Sequence, residues 1–568
     1  MTAWKRTVRG GAAVLWCVTL ALLLWGCGSS AAGPETLPSA TTAEPVLATV
    51  ETAPQEIPER GYIASLLPEA DYFDAKGQPT GTVLRGTEVE FLREEDGILL
   101  LLSEGERVYL GGAADVVSDP AEVVPAHTLY VRSTVNLRDG EGRLLAPLAK
   151  KGEAVEITGF DRLDEKGEVH AYRVRLGDKE GYILPWYLTD SDEQAASPYD
   201  KGHYATHAAR GDLYGGGNGA DLDYFPREKG PIEGNDMPAE CRALYIAGRR
   251  ISEVDAYLKI AESSGINAFV VDIADGGAIG YAGEVMKKSC PSAAAAAANT
   301  VETYRAAIQK LRDAGYYVIG RITTFNDTYF VKDHPEYAIA NKSGAPLQLS
   351  GAYWPTAFSR EAWQYKVDLA VEAVELMGFH EIQFDYVRFP DNTARFEKAG
   401  TIDFRNGYGE TKAQAIQRFL MYATDILHEK GAYVSADVYG ESAYTYVTAY
   451  GQYWAAISNV VDAISGMPYP DHFAASGDWR PWEHPYETLY NWGKSVMARQ
   501  KETATPAVVR TWIQCYNAIR PPYNTYGPAQ IASQIRGLRD SGCRGGFMTW
   551  NASSSLEKYA QIASAFAT

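Results

Sequence analysis

From about residue 240 to residue 568 one unit repeats eight times: a short apolar or β-branched strand, a loop, and an amphipathic helix. The strands read as 243–247, 267–273, 316–323, 380–387, 432–438, 460–467, 507–514 and 545–550. Helices are expected to start near Ser252, Thr300, Ser359, Thr411, Tyr446, Pro485, Pro528 and Ser553. Ser252 and Ser359 are N-cap candidates, because a hydroxyl there accepts from the free N–H groups of the first turn. Gly265, Gly315, Gly378, Gly431 and Gly542 fall where a helix hands over to a strand, the place for a left-handed residue. Strict alternation makes the strands parallel, and eight units close on themselves. The fold class is therefore α/β, a (β/α)8 TIM barrel. An open doubly wound sheet would want a Gly-rich phosphate turn after its first strand, and Ala247-Gly248-Arg249-Arg250 is not one.

The 239 residues before the barrel divide by composition. Lys5, Arg6 and Arg9 precede an apolar run, Ala12 to Trp25, too short for a comfortable membrane span. It ends in Leu24-Trp25-Gly26-Cys27, which resembles a bacterial lipobox. The resemblance makes 1–26 a lipoprotein signal peptide and Cys27 the lipidated residue, which would hold the protein on the outer face of a membrane. Residues 27–58, rich in Ala, Thr, Pro, Glu and Ser, bury too little to fold and read as a disordered linker. From 126 to 190 short alternating strands follow one another. Val135-Asn136-Leu137-Arg138, Gly181-Tyr182-Ile183 and the closing Trp186-Tyr187-Leu188 resemble a bacterial SH3-like domain. Residues 59–120 look like a degenerate copy, with Gly86-Thr87-Glu88-Val89 echoing Gly152-Glu153-Ala154-Val155. The resemblance implies cell-wall peptide as a ligand; a plain spacer is the alternative. Residues 191–239 form a linker leading into the barrel, which occupies 240–568.

In such a barrel chemistry sits at the C-terminal ends of the strands. There the sequence has Asp272 and Asp275 at the end of strand two and Arg321 on strand three. Strand four offers Asp385, Tyr386 and Arg388, and strand five Asp437, with Glu441 four residues on. Tyr469, Trp512 and Trp550 end strands six, seven and eight. The two-residue period turns Ile382 and Phe384 to one side and Gln383 and Asp385 to the other. It likewise separates Val434, Ala436 and Val438 from Ser435 and Asp437. The apolar sides face the helices, so Asp385 and Asp437 face the barrel mouth. An inward carboxylate is costly unless paired or functional; a structural pair of Asp385 with Arg321 is the bland alternative. Two carboxyls on adjacent parallel strands lie about 5 Å apart, the spacing of a retaining glycosidase pair.

Phe384 to Pro390, "FDYVRFP", with the barrel around it, resembles the bacterial glycoside hydrolase-type barrels first catalogued as a domain of unknown function and distantly similar to the α-amylase-like enzymes. That resemblance implies a nucleophile at Asp385 and an acid/base on strand five. The usual acid there is Glu, whereas this chain has Asp437, with Glu441 as the reserve. Asp272, Asp275, Arg321, Tyr386, Arg388, Tyr469, Trp512 and Trp550 are the candidates for holding sugar, by hydrogen bonds or by flat aromatic faces.

Composition narrows the partners. A formal net charge of −19 and no basic stripe argue against nucleic acid. Nine His residues without an HxH or HExxH pair give no metal site, and no cofactor is expected. The expected partners are a carbohydrate substrate, cell-wall peptide and, through Cys27, a membrane. A cell-surface glycoside hydrolase is the leading reading. A polysaccharide-binding barrel without turnover is the alternative, and the lack of a metal cluster counts against a metal-dependent deacetylase. Cys241 and Cys543 precede neighbouring strands at the closure. A disulfide, with Cα atoms about 4.4–6.8 Å apart, and two free thiols both remain open.

Overall fold

The computed structural model describes residues 57–94, 97–102, 106–197, 216–219, 222–224 and 226–568. The leader and Cys27 lie outside them. Eight strands form the barrel: β1 Cys241–Ile246, β2 Ala268–Asp275, β3 Tyr317–Thr323, β4 Glu381–Asp385, β5 Tyr433–Tyr439, β6 Ala463–Met467, β7, and β8 Gly546–Trp550. Arg510 divides β7 into Val508–Val509, which pairs with β6, and Thr511–Gln514, which pairs with β8. All neighbours are parallel, and β1 pairs with both β2 and β8, so the sheet closes through the two halves of β7.

Helices follow the strands in turn: α1 Val254–Glu262, α2 Val301–Asp313, α3 Arg360–Met377, α4 Lys412–Glu429, α5 Trp454–Ser458, α6 Pro485–Lys501, α7 Pro528–Ser541 and α8 Leu556–Ile562. Ser359 caps α3 by accepting from the N–H of Ala362, and Thr411 caps α4 within a capping box. Ser252 does not cap a helix. It lies inside a 3-10 turn, Gly248–Glu253, that leads straight into α1. Nor does a helix start at Tyr446: the chain after β5 runs as a long loop, and α5 begins only at Trp454. That loop is spent on the site described below.

The period of two explains the two cores. On β2, Phe269, Val271 and Ile273 join the core between sheet and helices, while Ala268 and Val270 join the barrel interior. The cysteines follow the same split. All four among the described residues are free and buried. Cys241 lies in the interior and Cys543 in the outer core, with its thiol near the Gly493 carbonyl. The sheet stands between them, and no disulfide joins them.

Two seven-stranded all-β modules precede the barrel. The first runs from Glu59–Ser65 to Ala114–Val117, the second from His127–Val131 to Leu188–Thr189. Numbered within each module, both sheets have the strand order 3-2-6-5-4-1-7, so the faint sequence echo between them is matched by identical topology. Arg85 of the first module donates to the Gly167 carbonyl of the second at 2.7 Å. Arg138 of the second reaches Asp425 on α4 at 2.5 Å, where Tyr187 and Arg227 also converge.

Candidate active site

Phe384 of β4 pairs with Ala436 of β5. The next residues, Asp385 and Asp437, therefore stand at one height on neighbouring strands, both turned inward. Between them lies Arg321 of β3, 1% exposed. Its Nη2 donates to Asp385 Oδ2 at 2.5 Å, and its Nε lies 3.8 Å from Asp437 Oδ2. Its Nη1 donates to Asp272 Oδ1 at 2.7 Å and lies 3.3 Å from Asp275 Oδ1. One carboxyl is hydrogen-bonded to this guanidinium and the other lies 3.8 Å from its Nε, so the two are within roughly 10 Å of each other, the outer limit of the inverting spacing. The other oxygen of Asp385 accepts from the N–H of Tyr386 at 2.5 Å. Tyr386 has φ +49°, a left-handed conformation that costs a non-glycine residue on the order of 1 kcal/mol and aims this N–H back at the carboxylate.

One positive charge faces four carboxyls, and the two most buried of them, Asp437 and Asp272, are pushed up. Burial pushes the Asp437 carboxyl well above the usual carboxylate range, and Asp385 beside it adds to the rise; Arg321 and the Trp512 N–H oppose it. Trp512 Nε1 donates to Asp437 Oδ1 at 2.8 Å. Burial likewise raises Asp272 to about 7 in spite of its ion pair with Arg321, with Asp275 adding to the effect. The short ion pair and the raised value are compatible because Arg321 is shared. Tyr245 of β1 donates its hydroxyl to Asp272 Oδ2.

Access sorts the sequence candidates. Asp275, Tyr386 and Trp550 are partly open at the mouth, and Asp385 keeps a small opening. Asp272, Trp512 and Tyr469 are buried. Trp512 lies within β7 rather than at its end, and Tyr469 stacks parallel to Trp550 at 6.5 Å. Trp512 and Tyr469 line the wall and pack against the partly open ring of Trp550. Arg388 does not face the carboxyl cluster: it is buried, donates to Tyr439 Oη at 2.5 Å, and packs against the rings of Trp354, Tyr386, Tyr439 and Tyr450. Asp437 is fully covered. Glu441 instead lines an open cleft of about 560 Å³ beside the mouth, with Met467 and Tyr439 on its near wall. Tyr446 and Tyr450 donate to its two oxygens at 2.9 and 2.8 Å.

Sequence reasoning turned Gln383 inward without giving it a role, and missed Tyr245 and a lower polar layer. Gln383 donates to Ser465 Oγ and Met548 Sδ, both at 3.3 Å, beneath the carboxyls. Below that, Glu381 accepts from Arg510 at 2.7 Å, Ser435 at 2.5 Å and Tyr317 at 3.0 Å. The parity that found Asp385 also points Glu381 and Gln383 inward, and an inward Trp512 implies an inward Arg510 two residues earlier.

Comparison with known proteins matches the barrel sequence to a family. A family model described as "DUF4015: Putative glycosyl hydrolase domain" matches residues 243–556, more than half of the chain. Among solved structures, a hypothetical protein from Ruminiclostridium thermocellum ATCC 27405 is 30% identical, over 34% of this chain and 97% of that one, with a TM-score of 0.29. The PgaB (BpsB) glycoside hydrolase domain from Bordetella bronchiseptica is 14% identical over 58% of this chain and 99% of that one, with a TM-score of 0.41. The chitobiase of Flavobacterium johnsoniae is 12% identical over 60% and 48% of the two chains, with a TM-score of 0.38. No curated protein matches the chain. On the family match, which spans all eight strands of the barrel from Ala243 on, the chain belongs to this glycosyl hydrolase family.

Proposed function

We propose that the chain hydrolyses glycosidic bonds in a poly- or oligosaccharide at the carboxyl cluster around Arg321. The observation that carries this is the placement of Asp385 and Asp437 at one height on adjacent strands, on one guanidinium, at the end of the barrel where chemistry sits. Hydrolysis needs one carboxylate facing the anomeric carbon and one carboxyl that keeps its proton for the leaving oxygen. Environments that push two carboxyls apart in acidity meet that need. Asp385, ion-paired and hydrogen-bonded on both oxygens, is the nucleophile. Asp437, held protonated by burial, is the acid/base. Adjacent strands about 5 Å apart favour the retaining course.

One observation favours a second assignment of the acid. Asp437 is covered, whereas Glu441 opens onto the cleft. A panel of α- and β-linked glycans, with products resolved by size and anomer, tests the activity. Asp385→Asn should abolish turnover. The variant that identifies the acid, Asp437→Asn or Glu441→Gln, should retain aryl glycosides with good leaving groups and lose unactivated glycans by about a hundredfold or more. Glycan binding without turnover in the wild-type chain would replace this reading with that of a polysaccharide-binding barrel.

A further inference from the structure

We infer that the open cleft is the first part of an extended groove that binds a run of sugar rings along the β5 and β6 side of the mouth, so that the substrate is a polymer cut internally. This rests on the hydrolase reading.

The groove has two hollows with a common wall. The cleft beside the mouth, about 560 Å³, ends at Tyr444, Phe473 and Ala474. A second hollow of about 380 Å³ begins at the same three residues and continues to Trp479. The near end adjoins the site, since Met467 lines the cleft and also packs on the barrel-interior cluster that contains Tyr469 and Trp512. A ligand leaving the carboxyl cluster on this side therefore meets the first hollow and then the second.

Two aromatic rings along this path are exposed yet fixed. Tyr444 is 49% exposed and stacks on Tyr446 at 5.8 Å with an interplanar angle of 19°. Trp479 is 41% exposed and stacks on His484 at 3.8 Å and 8°. A ring braced on one face presents the other as a flat apolar plate whose orientation does not have to be fixed on binding. Such a plate suits the C–H face of a pyranose. Two carboxylates and one cation stand beside the first plate, with Asp391, Glu441 and Arg520 on the cleft wall. Apolar plates with a few polar groups between them fit sugar rings with their hydroxyl rims. A single sugar would occupy one hollow and leave the second plate without a partner.

The test uses the full chain carrying Asp385→Asn and the glycan that the wild-type chain hydrolyses, cut into a ladder from disaccharide to hexasaccharide. Affinity, measured by titration calorimetry, should rise with length until the second hollow is filled. Adding Trp479→Ala should lower affinity for the longest members by about tenfold, the effect of ~1.4 kcal/mol, and leave the disaccharide unchanged. Tyr444→Ala should act on intermediate and long members alike. The wild-type chain should release products of mixed length at early times. Affinity that is constant from the disaccharide on, or Trp479→Ala with full affinity for the hexasaccharide, overturns the groove while the hydrolase reading stands. A wild-type chain that cleaves no glycan overturns the hydrolase reading and the groove with it. Thermal melts of both variants show whether the fold is retained, as expected for side chains this exposed.

Discussion

Arg321 has a rigid fork: one nitrogen serves Asp385, one serves Asp272 and Asp275, and the third lies 3.8 Å from Asp437 without a hydrogen bond. A lysine would carry the same charge at a single point and could not keep this spacing. Arg321→Lys should therefore lower kcat by about a hundredfold or more with the fold intact, measured by steady-state rates beside a thermal melt. The protons on this cluster give a second expectation. Burial and the neighbouring Asp385 raise Asp437 above the usual carboxylate range, so the donor form is lost as pH rises through that raised value. The rate should fall on the alkaline side, and Asp437→Asn should remove that fall. A profile of kcat against pH in which the variant keeps the alkaline limb would assign it to another group.

At the scale of elements, barrel closure depends on one residue without a side chain. Gly546 pairs with Cys241 at the start of β8 with φ +100°, and a Cβ there would stand 1.9 Å from the Cys241 carbonyl oxygen. Gly546→Ala adds a steric clash to a strained backbone and should destabilise the barrel by about 3 kcal/mol or more. A melting temperature equal to that of the parent would show that the closure has slack. The strands themselves were legible in the sequence, because a buried parallel strand leaves a dense apolar run and a glycine ends the helix before it, as at Gly378 and Gly542. Asp385 and Asp437 were legible because the period of two needs no tertiary information. The burial of Trp512, the aromatic surround of Arg388 and the delayed start of α5 were not. Each depends on which residues a loop brings over the mouth, and periodicity carries no signal for a loop. Ser252 misled for a related reason: a hydroxyl before an apolar run marks a helix start only if the preceding turn is open, and here a 3-10 turn already fills it.

Over the whole molecule, three segments meet on one carboxylate. Asp425 of α4 accepts from Arg138 and Tyr187 of the second module and from Arg227 of the segment before the barrel, and it is 2% exposed. Asn136 on the same module strand as Arg138 accepts from Arg360 of α3 at 2.9 Å. The strand Val135–Arg138, which carries the SH3-like resemblance, is thus among those that dock on the barrel. Asp425→Asn would leave two arginines facing a neutral group. Breaking one side of a buried pair costs about 3–5 kcal/mol, so the second module should loosen from the barrel. Faster limited proteolysis within 191–239, together with a larger radius of gyration, is the expected result. An unchanged digestion rate would mean that the remaining contacts suffice.

The surplus of carboxyls over guanidinium also gives the mouth a thermochemical signature. A cation placed beside Asp437 and Asp272, the two carboxyls that burial raises, makes their ionised forms more favourable, and the protons they hold leave. An iminosugar with an endocyclic ammonium, which resembles the oxocarbenium-like charge of glycoside cleavage, should therefore bind with proton release. Calorimetry in two buffers of different ionisation enthalpy would read this as two different apparent binding enthalpies, whereas a neutral sugar of the same shape should give nearly equal values.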